Sequence, residues 1–350
     1  MKKSWVYGPV LSRRFGLSLG VDLVPEKLCS YDCIYCQLGR TTKLEAQPSH
    51  WVDVEDVVRD VEAAVREVGR PDVVTLAGSG EPTLYDDVGA LIKGLKETTN
   101  APVLMLTNSG LFFEKRVAEA AMEADILAPS LDAGDPKTFS KINRPHKDIS
   151  FEKMLRGLQD VTNAFKGIVR LEIMLVRGVN DSEKSLNDIA RILKTLRVDR
   201  IDVNTPVRPV GGKPVLEKHG VVKDEDNPIG APMICSRALL EKAAALFGPK
   251  ASVVASRREP KPAQEGGAQA LSKDGVYRLV KETISRRPSS APDLCDGLGL
   301  REVQVLNALT RLRREGVLVT RGVEVFPEEV GCVDGKGNDS DPGVYYFVDG

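Results

Sequence analysis

Strand-like and helix-like segments alternate along this chain from about residue 18 to residue 250, and this alternation restricts the fold more than any other feature. The strand-like segments are LGVDLV (19–24), DVVTLAG (72–78), APVLMLTNSG (101–110), ILAPSLDAG (126–134), IVRLEIMLV (168–176) and RIDVNTPV (200–207). Segments with apolar residues at helical spacing separate them, the first of which spans residues 51–69. Strands that are apolar almost throughout are typical of a parallel sheet covered by helices.

Six β/α units are too few for a closed eight-stranded barrel, so the pattern predicts an open partial barrel or a doubly wound sheet. In either fold, functional residues lie at the carboxyl ends of the strands. The polar segments at those ends are Gly78–Glu81, Thr107–Gly110, Ser130–Asp132, Arg177 and Asn204–Arg208.

Half of the six cysteines, Cys29, Cys33 and Cys36, follow the first predicted strand with the spacing C-x3-C-x2-C. Six cysteines in 350 residues are too few for a disulfide framework. The alternatives are buried structural cysteines and a zinc site. A zinc site usually takes a second pair of ligands, and the other cysteines and the histidines of this chain form no such pair with the motif. An iron–sulfur cluster is favoured, since three thiolates leave one iron open for another ligand.

This motif, with Tyr35 directly before its last cysteine, resembles the motif of the radical S-adenosylmethionine (SAM) superfamily. GSGEPTL (78–84) is similar to the Gly-Gly-Glu motif of that superfamily, with Ser79 in place of the first glycine. PSLDAG (129–134) resembles the strand that contacts the ribose and carboxylate of SAM. The resemblance covers roughly residues 5–250 and implies an α/β fold, a partial (β/α)6 barrel with parallel strands.

The resemblance also implies a metal-binding oxidoreductase in which Cys29, Cys33 and Cys36 bind three irons of a [4Fe–4S] cluster. The amino and carboxylate groups of SAM would chelate the fourth iron. SAM would be cleaved reductively to a 5′-deoxyadenosyl radical that abstracts hydrogen from an unidentified substrate. A flavodoxin- or ferredoxin-like protein would supply the electron.

Five further residues are implied to contact SAM. Tyr35 would lie against the adenine, and Gly80 and Glu81 would meet the amino group, Gly80 because a missing side chain permits close approach of the backbone. Ser130 and Asp132 would form hydrogen bonds with the ribose or carboxylate. The alternative is that Tyr35 packs in a loop, that GSGEP is an ordinary turn, and that Ser130 and Asp132 are caps or surface residues.

Within the superfamily, residues 7–41 and VNTPVRP (203–209) resemble the wyosine-synthase-like iron–sulfur oxidoreductases. True wyosine synthases modify a tRNA base and carry a second cluster, bound by cysteines that precede the radical SAM motif. This chain has no cysteine before Cys29, so the resemblance supports the group and not its reaction.

Several side chains near the predicted strand ends are candidates for contact with a phosphate or carboxylate of the substrate, because arginine binds both in a bidentate manner. The candidates are Arg13, Arg144, Arg177, Asn204 and Arg208, with Arg14 and His146 nearby. The alternative for each is an ordinary solvated loop residue.

A polar segment with proline and glycine, residues 256–271, is predicted to be a linker between a radical SAM domain (1–255) and a second domain (272–350). Beyond the linker, three helical segments precede an alternating hairpin, which resembles a winged helix-turn-helix. The predicted segments are 272–288, 289–299, 300–316, 317–326 and 343–350.

The third of these helices carries arginines that could bind nucleic-acid phosphates, namely Arg301, Arg311, Arg313 and Arg314. The predicted wing is acidic and would repel a phosphate backbone. Its acidic residues are Glu324, Glu328, Glu329, Asp334, Asp339 and Asp341. Nucleic-acid binding is therefore retained as an alternative to protein docking, dimerisation or a substrate lid.

Two other functions stay open from the sequence, namely a SAM- or redox-responsive regulator and an enzyme that installs a glycyl radical on a partner protein. The formal net charge of −1 provides no general attraction for nucleic acid or for an anionic membrane. The start of the chain lacks the apolar region of a signal peptide, and no apolar run approaches the length of a spanning helix. We expect a soluble cytoplasmic protein.

Overall fold

The computed structural model describes residues 5–12, 14–206, 234–254, 272–286, 289–316, 318–322 and 344–348. The strands are β1 (Val6–Ser12), β2 (Gly16–Val21), β3 (Leu28–Cys29), β4 (Lys43–Leu44), β5 (Val73–Leu76), β6 (Val103–Thr107), β7 (Ile126–Pro129), β8 (Ile168–Met174), β9 (Arg200–Asn204), β10 (Ala251–Val253), β11 (Ser289–Ser290), β12 (Leu318–Gly322) and β13 (Val344–Val348). The helices are α1 (Val54–Val68), α2 (Val88–Thr99), α3 (Lys115–Ala121), α4 (Pro136–Ile142), α5 (Phe151–Ala164), α6 (Glu183–Leu193), α7 (Arg237–Phe247), α8 (Lys273–Arg286), α9 (Ala291–Leu298) and α10 (Glu302–Arg314).

Eight of the described strands form one sheet in the order β1, β2, β5, β6, β7, β8, β9, β10. All neighbouring pairs from β2 to β10 are parallel, and β1 pairs antiparallel with β2 at one edge. Helices connect successive parallel strands, as crossover connections require. The predicted α/β partial barrel is confirmed, and the carboxyl ends of its parallel strands lie at one edge.

Three elements of this sheet-and-helix layer were not predicted, namely β1, β10 and α4. The first strand is interrupted by Gly8–Pro9, and β10 has only three residues, so neither gives a clear period. The short helix α4 has a local start signal that the sequence analysis passed over: Asp135 caps it by accepting a hydrogen bond from Thr138 N at 3.0 Å, and Pro136 follows.

The two faces of the sheet differ in character along β8 and β9. Side chains such as Val169 and Leu171 belong to the main hydrophobic core beneath the helices. The alternate residues Arg170 and Glu172 therefore lie on the opposite, inner face. The near-continuous apolar strands that were predicted do not describe β8, in which buried residues alternate with partly exposed ones because its inner face is polar.

Phe15, which precedes β2, packs on this inner face against Val73, Leu104 and Ala128, in a small cluster separate from the main core. The main core itself lies between the outer face of the sheet and the helices. Val57 and Val61 of α1, for example, are fully buried in it. The inner face is thus closed by an aromatic side chain near the amino ends of the strands.

The C-terminal residues form a second core around α8, α9 and α10, which includes Val280, Leu294 and Leu309. In the described residues these helices accompany a three-stranded sheet in the order β11, β13, β12. Val10 of β1 packs against this second core, and α8 and α9 contact β1. The winged-helix assignment and the domain boundaries stay predictions; the linker 256–271 and the acidic residues of the wing lie outside the described residues.

A search of the described part of the chain finds no helix that combines the length and the apolar character needed to cross a membrane.

Candidate functional site

The three clustered cysteines lie in the loop that follows β2, at the carboxyl edge of the sheet. Cys29 is in the short strand β3, which pairs in parallel with β4 further along the same loop. The three thiols are free and partly buried. Burial raises the pKa of each thiol. A negative charge on Cys36 raises the pKa of Cys29 further, and a negative charge on Cys29 raises the pKa of Cys33. All three predicted ligands therefore lie in one loop at the carboxyl edge of the sheet.

The segment Ile142–His146, after α4, holds the cysteine loop in place through the backbone. Asp32 N donates hydrogen bonds to the carbonyl oxygens of Asn143 and Arg144, both at 3.1 Å. Further along, Ile34 N donates to the carbonyl of Ile142 at 3.0 Å. This brace fixes the loop conformation on either side of Cys33 and depends on the unpredicted helix α4 for its position.

Gly80 lies against the cysteine loop from the other side. A Cβ atom at this position would lie 1.8 Å from the carbonyl oxygen of Leu28 and 2.8 Å from Cγ2 of Val24. The carbonyl of Leu28 also accepts a hydrogen bond from Glu81 N at 3.0 Å. Glycine is thus required here by the approach of the residue before Cys29, and the predicted contact of Gly80 with SAM stays a prediction.

Ser79 replaces the first glycine of the family motif for a reason visible in the structure. Its backbone N and its hydroxyl donate to Oδ1 and Oδ2 of Asp22, at 2.9 and 2.6 Å. The side chain of Ser79 therefore attaches the motif to the end of β2.

Glu81 is 3% exposed and joins the ends of two neighbouring strands. Its Oε1 accepts hydrogen bonds from Thr83 N and Oγ1 at 3.1 and 2.7 Å, and from Thr107 Oγ1 at 2.7 Å. Its Oε2 accepts from Asn108 N at 2.8 Å. Burial raises the pKa of this carboxyl, and the four hydrogen bonds oppose that rise. Contact with SAM stays a prediction, and the remaining acceptor capacity is on Oε2.

Asp132 is the second buried carboxylate of the site, at 3% exposure. Its Oδ1 accepts from Met174 N at 2.9 Å. Its Oδ2 accepts from Tyr35 Oη at 2.5 Å and from Asn143 Nδ2 at 2.7 Å. Burial raises the pKa of Asp132 to about 6, although all three hydrogen bonds favour the charged form. Tyr35 and Asp132 are thus brought together, as two predicted cofactor contacts should be. Ser130, two residues before Asp132, is partly buried.

Two asparagine amides donate to cysteine sulfur atoms, a feature that the sequence analysis did not predict. Asn108 Nδ2 lies 3.5 Å from Sγ of Cys29, and Asn143 Nδ2 lies 3.5 Å from Sγ of Cys33. Asn108 lies within the predicted strand-end segment 107–110, which was a usable signal. Asn143 stands beside the candidate Arg144 but follows a helix, so the strand-end rule does not select it.

The hydroxyl of Tyr31 is buried and has no hydrogen-bond partner in the described part of the protein. The ring packs edge-to-face on Phe139, with centroids 5.4 Å apart. Tyr31 lines a small cavity shared with Asn108, Ser130, Asp132 and Asn143. An unpaired buried hydroxyl costs free energy, so its presence at this cavity fits a site that receives another polar group.

The donor set fits an iron–sulfur cluster. Burial raises the pKa of all three thiols, so in the protein alone they retain their protons near neutral pH. Iron supplies the positive charge that converts such thiols to thiolate ligands. Side-chain amides directed at Cys29 and Cys33 complete the surroundings that thiolate ligands usually have.

The inner face of the barrel carries a group of charged side chains, which we call the inner-face network: Arg14, Arg170, Glu172 and Asp202. Arg170 binds Asp202 through Nε at 2.6 Å and Nη2 at 3.0 Å. Arg14 Nη1 lies 3.2 Å from Glu172 Oε2 and 3.3 Å from Asp202 Oδ2. Both guanidinium groups also lie over the ring of Phe15.

The candidate substrate residues lie in different parts of the chain. Asn204 Nδ2 donates to Glu172 Oε1 at 3.1 Å, which places Asn204 beside the inner-face network. Arg144 lies 4.0 Å from Asp32 in the brace, and Arg177 is exposed after β8. Arg13 and Arg208 lie outside the described residues. Each substrate role stays a prediction.

Arg311 of α10, one of the predicted phosphate contacts, already has partners within the C-terminal helices. Its Nη1 lies 2.6 Å from Asp274 and its Nε 3.1 Å from Glu315. The guanidinium lies 4.0 Å from the centre of the Tyr277 ring. A nucleic acid would have to displace these contacts in order to bind Arg311.

Comparison with known proteins agrees with the geometry. The sequence profile of the radical SAM superfamily matches residues 24–204. A UPF0026 protein of Helicobacter pylori is 36% identical over 293 residues, which cover 82% of this chain and 86% of that protein. A protein of Brachyspira hyodysenteriae named GTPase Obg is 32% identical over 316 residues; the match covers 90% of this chain but only 43% of that protein.

Among solved structures, a radical SAM methyltransferase from Sphaerobacter thermophilus superposes with a TM-score of 0.51. It is 19% identical, and the match covers 69% of this chain and 67% of that chain. This likeness supports the fold alone. With the profile match over residues 24–204, the chain belongs to the radical SAM superfamily of iron–sulfur enzymes, whose cofactors are a [4Fe–4S] cluster and SAM.

Proposed function

We propose that Cys29, Cys33 and Cys36 are the protein ligands of the [4Fe–4S] cluster and that SAM binds beside them at the carboxyl edge of the barrel. The observation that carries this proposal is the convergence of three partly buried free thiols with two amide donors directed at their sulfur atoms. When bound, the cluster supplies the electron that cleaves SAM to a 5′-deoxyadenosyl radical, which removes a hydrogen atom from the substrate.

The proposed role of the protein residues is to orient SAM. Asp132 presents a carboxylate that Tyr35, Asn143 and the backbone of Met174 hold in one position. Such a fixed acceptor is suited to the ribose hydroxyls or the amino group of SAM. Glu81, after β5, binds Thr107 and Asn108 at the end of β6 and so links the two strand ends.

The substrate is proposed to lie over the inner face of the barrel. Leu131 N donates to the carbonyl oxygen of Glu172 at 3.0 Å, and Ser130 pairs with Glu172, so Glu172 lies beside the strand end that carries Asp132. With Asn204 and Arg14 beside it, the inner face offers both donors and acceptors, which favours a polar substrate.

Anaerobic reconstitution tests the ligand assignment. The full-length protein should bind about four irons, as a cubane cluster requires, and alanine at Cys29, Cys33 or Cys36 should abolish this binding. Cys235 is the matched control, because it is a free thiol that is 1% exposed in the main core and has its pKa raised by burial to about 12. Cys235→Ala should retain the iron. A colourless protein that carries zinc would contradict the proposal.

A second measurement addresses the reaction class. With a chemical reductant and SAM, the reconstituted protein should release 5′-deoxyadenosine slowly even without substrate. Deuterium transfer from molecules in a cell extract to 5′-deoxyadenosine would then identify the substrate. Release at the same rate from protein without iron would contradict the proposed role of the cluster.

A further inference from the structure

The amide of Asn143 faces two groups with different predicted tasks. Its Nδ2 donates to Oδ2 of Asp132 at 2.7 Å and to Sγ of Cys33 at 3.5 Å. A primary amide has two N–H groups, so both bonds can form at once. Asn143 therefore joins a proposed cluster ligand to the carboxylate proposed to contact SAM.

The backbone holds Asn143 firmly in this position. Its side chain and backbone together are 3% exposed, and its N donates to the carbonyl of Phe139 at 2.9 Å at the end of α4. Its carbonyl accepts from Asp32 N, within the cysteine loop, at 3.1 Å. A residue fixed on both sides keeps its amide directed at the two acceptors without further ordering.

We propose that Asn143 is a positioning residue that couples the cluster to SAM: it stabilises the electron-rich state of the Cys33 ligand and orients Asp132 toward the cofactor. This inference rests on the proposed function. Donors to a ligand sulfur favour the reduced form of a cluster and so raise its reduction potential. The second N–H fixes the carboxylate of Asp132, which otherwise has only Tyr35 as donor on Oδ2.

Asn108 provides an internal comparison. Its Nδ2 donates to Cys29 Sγ at the same distance, 3.5 Å, but also to Oγ of Ser30 at 2.9 Å, while its Oδ1 accepts from Gly110 N at 2.8 Å. Asn108 is therefore expected to influence the potential of the cluster in the same direction. Of these two asparagines, Asn143 is the one that also donates to Asp132.

The test uses the full-length protein after anaerobic reconstitution. Iron content, the midpoint potential from an electron paramagnetic resonance titration, and the affinity for SAM from equilibrium dialysis are measured for the parent, Asn143→Leu and Asn108→Leu. Both variants should have a more negative midpoint potential than the parent. Asn143→Leu should also bind SAM about tenfold more weakly, because Asp132 loses the donor that orients its carboxylate toward the cofactor.

A double variant separates coupling from general damage. In protein that already carries Asp132→Ala, adding Asn143→Leu should lower the midpoint potential again but weaken SAM binding no further. An unchanged potential in Asn143→Leu, or an additive loss of SAM affinity in the double variant, would overturn the inference while the proposed function stands. A parent protein without iron would instead reject the proposed function.

Loss of iron from Asn143→Leu would be followed by the same measurements on Asn143→Ser, whose shorter side chain also lacks the reach to Asp132. Iron retention with a lowered potential and weaker SAM binding in Asn143→Ser supports the inference. Loss of iron from both variants would reject the coupling, because Asn143 would then be needed to form the cluster and not to connect it with SAM.

Discussion

Two of the buried carboxylates of this barrel, Asp202 and Asp132, have partners that differ in charge. Asp202, on the inner face, is fully buried and binds the guanidinium groups of Arg170 and Arg14. Asp132, at the carboxyl edge, is 3% exposed and receives hydrogen bonds from Tyr35, Asn143 and a backbone N–H, all of them neutral. The protein neutralises the first carboxylate with its own cations and leaves the second without such compensation.

This difference indicates where a cationic ligand belongs. A buried carboxylate with neutral donors is stabilised by a positive charge that arrives from outside the protein. The same holds for the three partly buried thiols; burial raises the pKa of Cys36, and the charge of Lys27 opposes that rise. Iron and the sulfonium and amino groups of SAM would provide positive charge at this edge. The inner-face network needs no ligand in order to be neutral.

Breaking the inner-face network should have the largest effect on stability. Arg170→Met removes two hydrogen bonds from Asp202 and leaves a fully buried carboxylate with Arg14 alone. Loss of one partner from a buried ion pair typically costs about 3–5 kcal/mol, so the free energy of unfolding in urea should fall by about that amount.

The control is the double variant Arg170→Met with Asp202→Leu, which removes both charges. Replacement of a buried ion pair by apolar residues is often neutral, so much of the lost stability should return. An equal loss in the single and double variants would show that packing of Arg170 on Phe15, and not the charge of Asp202, accounts for the effect.

The fold was predictable because its main signal repeats. The parallel strands β2, β5, β6, β7, β8 and β9 were each predicted by an apolar segment that ended in turn residues. The two-residue strands β3 and β4 were not predicted. β1 and β10 were missed because the former is interrupted by Gly8–Pro9 and the latter has three residues. α4 was missed because its start signal, Asp135 followed by Pro136, was not used.

The site was predictable where its residues are close together in the sequence and not where residues far apart in the sequence meet. Cys29, Cys33 and Cys36 lie within eight residues, so their spacing alone indicates a shared ligand. Asn143 meets Cys33 across 110 residues of sequence, and its role depends on the docking of α4 against the cysteine loop. The polar inner face of β8 was visible in the alternation of Val169 and Leu171 with Arg170 and Glu172, and it was missed because the segment was grouped with the apolar strands.

The stability of the protein without cofactors should depend on pH through Asp132. Burial raises its pKa from an ordinary 3.8 to about 6, so between these values the folded protein holds a proton that the unfolded chain has released. The contribution of Asp132 is fully present below about pH 4 and is lost as pH rises through about 6. The expected loss is about 3 kcal/mol.

Comparison of the parent with Asp132→Asn cancels the titration of all other groups. The Asn variant should gain stability relative to the parent as pH rises from about 4 to about 6, measured by urea denaturation without iron or SAM. A stability difference that stays constant over this range would show that the carboxylate is ionised throughout and that another cation compensates it.

The smallest effect is expected for Tyr31→Phe. The hydroxyl of Tyr31 is buried and has no partner among the residues that the structure describes, so its removal should leave the protein without cofactors equally stable or more stable, by about 1 kcal/mol. The ring remains to pack against Phe139. Tyr35→Phe is the matched comparison, because its hydroxyl donates to Asp132 at 2.5 Å and its loss should be destabilising.

The hydroxyl of Tyr35 is therefore expected to stabilise the protein without cofactors, whereas the hydroxyl of Tyr31 is expected to contact a ligand. If Tyr31 meets a cofactor or substrate, Tyr31→Phe should weaken SAM binding to the reconstituted protein while the unfolding free energy without cofactors does not fall. A clear loss of stability in Tyr31→Phe without cofactors would mean that the hydroxyl has a partner in the protein. In that case, the polar edge of the barrel would be satisfied internally, as the inner-face network is.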